Sequence, residues 1–174
     1  MKRIILQLSV LIFVATSCHA QQPNNRAHSQ NPKFDKTIAN WLSFTVPTVS
    51  PNDVKKMNNT LVLDAREREE YDVSHLPNAV FIGYKNFEKN TLSDIPKDKP
   101  IIVYCSIGYR SEKIGEKLQK MGYTKVYNLY GSIFEWVNEG NQVVDNQGNT
   151  TKKVHTFNKS WSKWVDDNKA EKVW

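Results

Sequence analysis

The chain has 174 residues, which suits one domain with short extensions and is long enough to build a hydrophobic core. Its 24 Lys and Arg residues exceed its 18 Asp and Glu residues, giving a formal net charge of +6, and 39% of the residues are hydrophobic. This is the composition of an ordinary globular protein, and its basic residues are dispersed rather than gathered with aromatic residues, which argues against a nucleic-acid partner.

Residues 1–20 have the pattern of a secretory signal peptide. A short basic start precedes an apolar stretch over residues 4–15, which is too short to span a bilayer as a mature helix. Cleavage after Ala20 would leave small residues at the −3 and −1 positions before the cleavage site, which signal peptidase recognises. Alternatively, residues 14–18 form a loose bacterial lipobox, which would make Cys18 a lipidated N-terminus and a membrane tether. We therefore expect an exported protein, either periplasmic or anchored to the membrane as a lipoprotein.

A polar segment separates the export signal from the domain. Residues 21–33 are rich in Asn and Gln and predict a flexible tether. After it, Phe34, Ile38, Trp41 and Leu42 recur at helical spacing. This periodicity predicts a short helix that packs on the edge of the domain, and the folded part of the chain is expected to begin with it.

Short apolar segments then alternate with helical patterns. Ser50 and the proline after it predict the start of a helix that ends near residues 58–59. We expect strands at residues 61–64, 79–82, 101–104 and 126–129, with helices after the third of them and from Gly131 onward. Strands and helices in this alternation predict an α/β fold with a parallel sheet covered by helices on both faces. Ligands of such folds bind beyond the carboxyl ends of the strands.

The C-terminal part of the chain is polar but carries several large apolar residues. A turn is expected at residues 146–149, and apolar residues follow it at Val154, Phe157, Trp161, Trp164 and Val165. We expect this extension to pack back on the domain or on a partner, and its tryptophans to serve packing rather than ligand binding.

Cys105 is the residue that most directly indicates a function. It follows the most apolar predicted strand and precedes an amphipathic helix. Loop amides, the helix dipole and the nearby Arg110 can stabilise a thiolate there. An ordinary thiol has a pKa of about 8.5, and a lowering of about two units would leave it mostly ionised at neutral pH. The alternative is a small buried core residue, but the position favours a nucleophile.

Several motifs together resemble the rhodanese family of single-domain sulfurtransferases, over about residues 48–140. In chain order they are Leu63-Asp64-Ala65-Arg66-Glu67 with Glu70-Tyr71, then His75-Leu76-Pro77-Asn78-Ala79, then Val103-Tyr104-Cys105 with Gly108, Arg110 and Ser111, and finally Leu129-Tyr130-Gly131-Ser132 ahead of Trp136. The resemblance implies a three-layer fold with a five-stranded, mostly parallel sheet flanked by helices.

With the N-terminal helix and the aromatic extension added to the resembling region, we expect the domain to span residues 34–165, followed by a tail over residues 166–174. Three positions depart from the glycines that the family often has: Ser74, Asn78 and Ser132. They lie away from the cysteine loop, so they bear on local turn geometry more than on the chemistry.

The number of residues between Cys105 and Arg110 distinguishes between the reactions that a loop of this kind can support. Four residues separate them, whereas phosphatases and arsenate reductases with a related loop have one residue more, which widens the cradle for a tetrahedral oxyanion. The shorter loop of this chain resembles the sulfurtransferase loop, which holds one additional sulfur atom on the cysteine. Arg110 would lower the thiol pKa and order the loop. The predicted substrate-binding loop consists of Ser106, Ile107, Gly108, Tyr109 and Ser111, whose backbone amides would hold the sulfur.

The resemblance further implies that Asp64 and Arg66 support the pocket, but their position at a strand end favours a structural ion pair. The implied reaction has two halves. The Cys105 thiolate takes sulfane sulfur from a donor such as thiosulfate, and the resulting persulfide gives that sulfur to cyanide, a thiol or an acceptor protein. We expect no cofactor, and four scattered histidines with one remaining cysteine make no metal site.

Two other functions stay open from the sequence. The first is a sulfur carrier or protein-binding module on the same scaffold, with the aromatic extension as its contact surface. The second is a phosphatase or arsenate reductase, against which the short loop argues.

Overall fold

The computed structural model describes residues 26–174. Its α-helices are Pro32–Trp41 (α1), Pro51–Lys56 (α2), Arg68–Val73 (α3), Tyr109–Lys120 (α4), Ser132–Asn138 (α5) and Lys159–Ser162 (α6). Its strands are Thr48–Val49 (β1), Leu61–Asp64 (β2), Val80–Phe81 (β3), Ile101–Tyr104 (β4), Val126–Leu129 (β5), Val143–Val144 (β6), Thr150–Thr151 (β7), Lys153–His155 (β8) and Glu171–Val173 (β9).

The predicted signal peptide, Cys18 and the first part of the predicted tether lie outside the described residues. Within the described part of the chain, no helix combines the length and the apolar character needed to cross a membrane.

Five strands form one parallel sheet in the order β1-β5-β4-β2-β3. This confirms the predicted α/β fold with a five-stranded sheet. The most apolar strand, β4, lies at the centre, where all four of its residues are buried. Strand β1 was not predicted from the sequence, because two residues beside Pro47 are too few to show an alternating pattern.

The side chains of β4 alternate between the two faces of the sheet, so both faces are apolar and helices cover both of them. Ile102 and Tyr104 join the core beneath α1 and α5, whereas Ile101 and Val103 join the core beneath α4. Helix α4 is the predicted amphipathic helix after Cys105, and Ile114 on its apolar face is fully buried. These two cores hold β4 rigidly, so the residue that follows it has a defined position.

The helix boundaries follow their capping residues. Ser50 caps α2, and its side chain and that of Asp53 bond reciprocally to each other's backbone N–H groups. The helix ends at Lys56, earlier than predicted, because the backbone of Met57 is already extended. Asn78, one of the departures from glycine, has a φ of 61°, a left-handed conformation that asparagine tolerates better than most residues.

Residues 26–31, at the described end of the predicted flexible tether, are held against the domain. Arg26 makes two hydrogen bonds to the Asp35 carboxylate at 2.9 and 2.6 Å. The Ser29 hydroxyl donates to the Glu135 carboxylate at 2.6 Å. The composition of this segment predicted flexibility, but these charged contacts anchor it, so the folded part of the chain begins before α1.

The C-terminal extension folds onto the domain, as predicted. Strands β6 and β7 form a hairpin around the predicted turn, and β8 pairs in parallel with β9. Trp164 stacks on Phe34 with ring centroids 5.3 Å apart. Residues 166–174, which were expected to form a tail after the domain, contain β9 and the buried Ala170, so the folded part of the chain extends into them.

Candidate active site

Cys105 lies where β4 ends, and the loop after it turns directly into α4. Gly108 precedes the first residue of this helix with a φ of 120°, a backbone conformation that side-chain-bearing residues rarely adopt. Its φ allows the loop to curl back so that the Gly108 N–H donates to Cys105 Sγ at 3.2 Å. The glycine therefore brings a backbone dipole onto the sulfur.

The Ser111 hydroxyl is the second polar group beside the sulfur. Its oxygen lies 3.5 Å from Cys105 Sγ and 2.7 Å from Asn128 Oδ1. A hydroxyl has one proton, so it can donate to only one of these acceptors at a time. Asn128 also donates from its amide to the Gly108 carbonyl at 2.9 Å, which fixes the loop from the strand side.

Burial and charge act in opposite directions on the thiol. Burial disfavours the ionised form of Cys105, but the nearby Arg110 guanidinium, the Ser111 hydroxyl and the Ser111 and Gly108 amides favour it. The balance lowers the pKa of Cys105 below the ordinary cysteine value. A buried thiol whose pKa is nevertheless lowered is suited to act as a nucleophile.

Arg110 does not lie free beside the sulfur. Its two terminal nitrogens donate to the Glu70 carboxylate at 2.5 and 2.8 Å, and one of them also donates to Ser106 Oγ at 2.9 Å. Burial acts to raise the pKa of Glu70, but the pairing with Arg110 outweighs it and lowers that pKa, so the carboxylate is ionised. The guanidinium is thereby locked in place while its charge still acts on Cys105.

Two functional residues were not identified from the sequence. Glu70 lies in one of the motifs that resemble the rhodanese family, but no role was predicted for it. Its position three residues after Glu67 is that of a capping partner, which is a signal that could have found it. Ser132 was treated as a departure from glycine. In the structure its hydroxyl accepts a hydrogen bond from the Cys105 N–H at 3.1 Å and donates to the Leu129 carbonyl at 3.0 Å.

Asp64 and Arg66 form a fully buried ion pair behind the site. The Arg66 guanidinium donates to the Asp64 carboxylate at 2.7 Å and to the Ser74 carbonyl at 2.6 Å, and the Tyr104 hydroxyl donates to the same carboxylate. Neither member of the pair lines the pocket at Cys105. Their link to the site is electrostatic, because the charge of Arg66 helps to lower the pKa of Glu70.

A pocket of about 280 Å³ opens above the sulfur. Most of its lining is apolar, and Cys105, although buried, is one of the lining residues. The lining residues are Trp41, Cys105, Ser106, Ile107, Tyr109, Arg110, Phe157 and Trp161. Of the predicted loop residues, Ser106, Ile107 and Tyr109 line this cavity, whereas Gly108 and Ser111 contact the Cys105 sulfur without lining it. Trp161, which was expected to serve packing alone, is part of the wall.

No cluster of three or more His, Cys, Asp or Glu side chains with metal-binding geometry occurs among residues 26–174. The polar groups that face the sulfur are hydrogen-bond donors rather than metal ligands. What this arrangement can do chemically is to stabilise one negative charge on Cys105, or on an atom bound to it.

The lowered pKa of Cys105 has a measurable consequence. Alkylation by iodoacetamide should reach half its maximal rate at a pH below that of an ordinary thiol, because the rate follows the thiolate fraction. Arg110→Met should move this midpoint to higher pH, since it removes the cation and leaves the Glu70 charge uncompensated. Arg68→Met, on an exposed side chain of α3, should leave the midpoint unchanged. A wild-type midpoint at or above the ordinary value would contradict this prediction.

Comparison with known proteins gives a consistent picture. The family model of the rhodanese-like domain matches residues 50–139. A tRNA uridine(34) hydroxylase of Onion yellows phytoplasma is 40% identical over 85 residues, which cover 45% of this chain and 27% of that protein. A thiosulfate sulfurtransferase GlpE of Coxiella burnetii is 26% identical over 84 residues, which cover 48% of this chain and 78% of that protein. The similarity thus spans a minor part of the hydroxylase and most of the sulfurtransferase.

Solved structures share the same architecture. A protein of Bacillus halodurans superposes with a TM-score of 0.53 at 25% identity, covering 68% of this chain and 89% of the other. The rhodanese-like domain of an Anabaena protein also superposes with a TM-score of 0.53, at 20% identity, covering 57% of this chain and 79% of the other. The second likeness supports the fold alone.

Proposed function

The chain belongs to the rhodanese-like domain family, and from this premise we propose that it is a sulfurtransferase of the thiosulfate type that works through a persulfide on Cys105. The observation that carries the proposal is the position of Cys105 Sγ. Cys105 lines an open pocket, its Sγ lies 3.2 Å from the Gly108 nitrogen, and Arg110 and the loop amides lower the pKa of its thiol.

In the first half-reaction the Cys105 thiolate attacks the outer sulfur of thiosulfate. A bond forms between Sγ and this sulfur, the bond between the two sulfurs of the donor breaks, and its electron pair leaves with sulfite. No proton moves, so no acid–base pair is needed. The persulfide retains one negative charge, and the donors that stabilise the thiolate, the Gly108 N–H and the Ser111 hydroxyl, stabilise the persulfide in the same way.

In the second half-reaction a nucleophile attacks the outer persulfide sulfur. Cyanide, a small thiol or an acceptor protein can fill this role, and the Cys105 thiolate is the leaving group. The low pKa of Cys105 helps here as well, because a thiol with a lower pKa leaves faster. The two halves predict ping-pong kinetics.

Export forms the second part of the proposal. The basic and apolar pattern of residues 1–20 supports secretion, with either a mature N-terminus at residue 21 or a lipid on Cys18 as a membrane tether. The two forms differ in intact mass by the lipid and by the residues retained, so mass spectrometry of the protein from its native cells distinguishes them.

The test of the sulfurtransferase proposal is the intermediate itself. Incubation of the protein with thiosulfate should add about 32 mass units, one sulfur atom, and a reducing thiol should remove the added mass. Protein alkylated beforehand with iodoacetamide should gain nothing, because its sulfur is blocked. Absence of the adduct over a range of thiosulfate concentrations, together with no thiocyanate formation from cyanide, would reject the proposal.

A further inference from the structure

Four aromatic side chains line the pocket above Cys105, and we call Trp41, Tyr109, Phe157 and Trp161 the aromatic wall. Trp41 lies edge-on to Tyr109 and to Trp161, with ring centroids 5.7 and 5.6 Å apart. Trp41 and Phe157 are about half exposed although they are large apolar residues. Apolar surface of this kind around an open cavity is typical of a binding site.

Three of the four residues of the aromatic wall come from segments outside the part of the chain that matches the family, whereas Tyr109 lies within that part. Trp41 comes from α1, before residue 50, and Phe157 and Trp161 come from the extension, after residue 139. The cysteine loop lies within the matching residues. Two segments far apart in sequence therefore converge over the nucleophile, and they add to the pocket a surface that the matching region does not supply.

Phe157 is held over the site in an unfavourable backbone conformation. Its φ of 65° is left-handed, which is costly for a bulky residue. Hydrogen bonds on both sides impose it: the Phe157 N–H donates to His155 Nδ1 at 3.1 Å, and the Asn158 N–H donates to the Thr156 carbonyl at 2.7 Å. The resulting turn places the Phe157 ring 5.2 Å from the Arg110 guanidinium carbon.

The charge in the pocket suits a donor with one negative charge. Among the described lining residues, Arg110 carries the charged side chain, and its two hydrogen bonds to the Glu70 carboxylate give the pair no net charge. Thiosulfate carries two negative charges and no apolar group, so it would leave the wall unused and place a dianion against apolar surface. A donor whose sulfane sulfur is attached to a flat organic group would cover the aromatic wall with that group.

We propose, resting on the sulfurtransferase function above, that the aromatic wall selects donors whose sulfane sulfur is carried on an apolar, flat organic group with a single negative charge. Benzenethiosulfonate is the simplest probe of this class. The Cys105 thiolate attacks its outer sulfur, a Cys105 persulfide forms, the bond between the two donor sulfurs breaks, and its electron pair leaves with benzenesulfinate. The phenyl ring lies against Trp161 and Phe157.

The experiment compares kcat/KM for benzenethiosulfonate and thiosulfate, with cyanide as the acceptor. The wild-type protein should favour benzenethiosulfonate by roughly tenfold or more, the effect of burying part of a phenyl ring.

Trp161→Ala should lower this ratio about tenfold by removing apolar contact. Phe157→Asn should lower it as well, and asparagine tolerates the left-handed turn. Trp174→Ala, an exposed tryptophan that lines a different pocket, should leave the ratio unchanged.

The outcomes separate the two proposals. No thiocyanate from either donor overturns the sulfurtransferase function and this inference with it. Turnover of both donors with an unchanged ratio in the Trp161 and Phe157 variants, each shown by thermal unfolding to be folded, overturns the role of the wall alone. A wild-type preference for thiosulfate overturns it too.

Discussion

Cys105→Ser is expected to lower kcat/KM for sulfur transfer from thiosulfate to cyanide by at least about 1000-fold, because it removes the atom that carries the sulfur. The serine oxygen fits the same space, and it can still accept the Gly108 N–H and contact the Ser111 hydroxyl. A hydroxyl is not ionised at neutral pH and forms no persulfide. The measurement is thiocyanate formation under steady-state conditions.

The control for this variant is its stability. Cys105 is buried among well-packed groups, so the serine protein should unfold at a denaturant concentration close to that of the wild type. Cys105→Ala, which leaves a small cavity, serves as a second variant with no hydroxyl at all. Turnover within tenfold of the wild type in either variant would show that sulfur does not pass through this residue.

Asp64→Ala is expected to destabilise the fold by about 3–5 kcal/mol, because it leaves the Arg66 guanidinium buried without its counter-charge. Both side chains are fully buried, and Asp64 also accepts a hydrogen bond from the Tyr104 hydroxyl. Chemical denaturation, followed by tryptophan fluorescence, measures the change in the free energy of unfolding.

Two further variants test whether the charge is the cause. Replacing both partners with apolar residues of similar volume, Asp64→Leu with Arg66→Met, should restore much of the lost stability, since no unpaired charge remains. Asp72→Ala, which removes the partner of Arg68 in an exposed pair, should cost less than about 1 kcal/mol. An Asp64→Ala cost as small as that of Asp72→Ala would show that the buried pair is not important for stability.

The central strand and the cysteine loop could be predicted because their signals are local. The apolar run of β4, the glycine before α4 and the stripe of Ile114 and Leu118 all fall within about twenty residues of Cys105. Strand β1 and the pairing of β8 with β9 could not be predicted in the same way. Their strands are two or three residues long, and pairing partners rather than composition define them.

The order of strand, loop and helix pointed to Cys105 and Arg110, whereas the resemblance to the rhodanese family implied that Asp64 and Arg66 support the pocket and their position favoured a structural ion pair. In the structure the latter pair is a buried ion pair away from the cavity, whereas Glu70 is the residue that holds Arg110. Glu70 lies on α3 and Arg110 on α4, so only the packing of these helices at the carboxyl end of the sheet brings the two charges together.

By itself the sequence determined an α/β domain with an activated cysteine between a buried strand and a helix, because hydrophobic periodicity and helix-start residues act over short stretches of chain. Only the tertiary structure decided which residues surround that cysteine. The carboxylate that locks Arg110 comes from 40 positions earlier, and three of the four residues of the aromatic wall come from the two ends of the domain. Such contacts depend on how whole elements pack, since a side chain meets a distant partner only after the sheet has placed both.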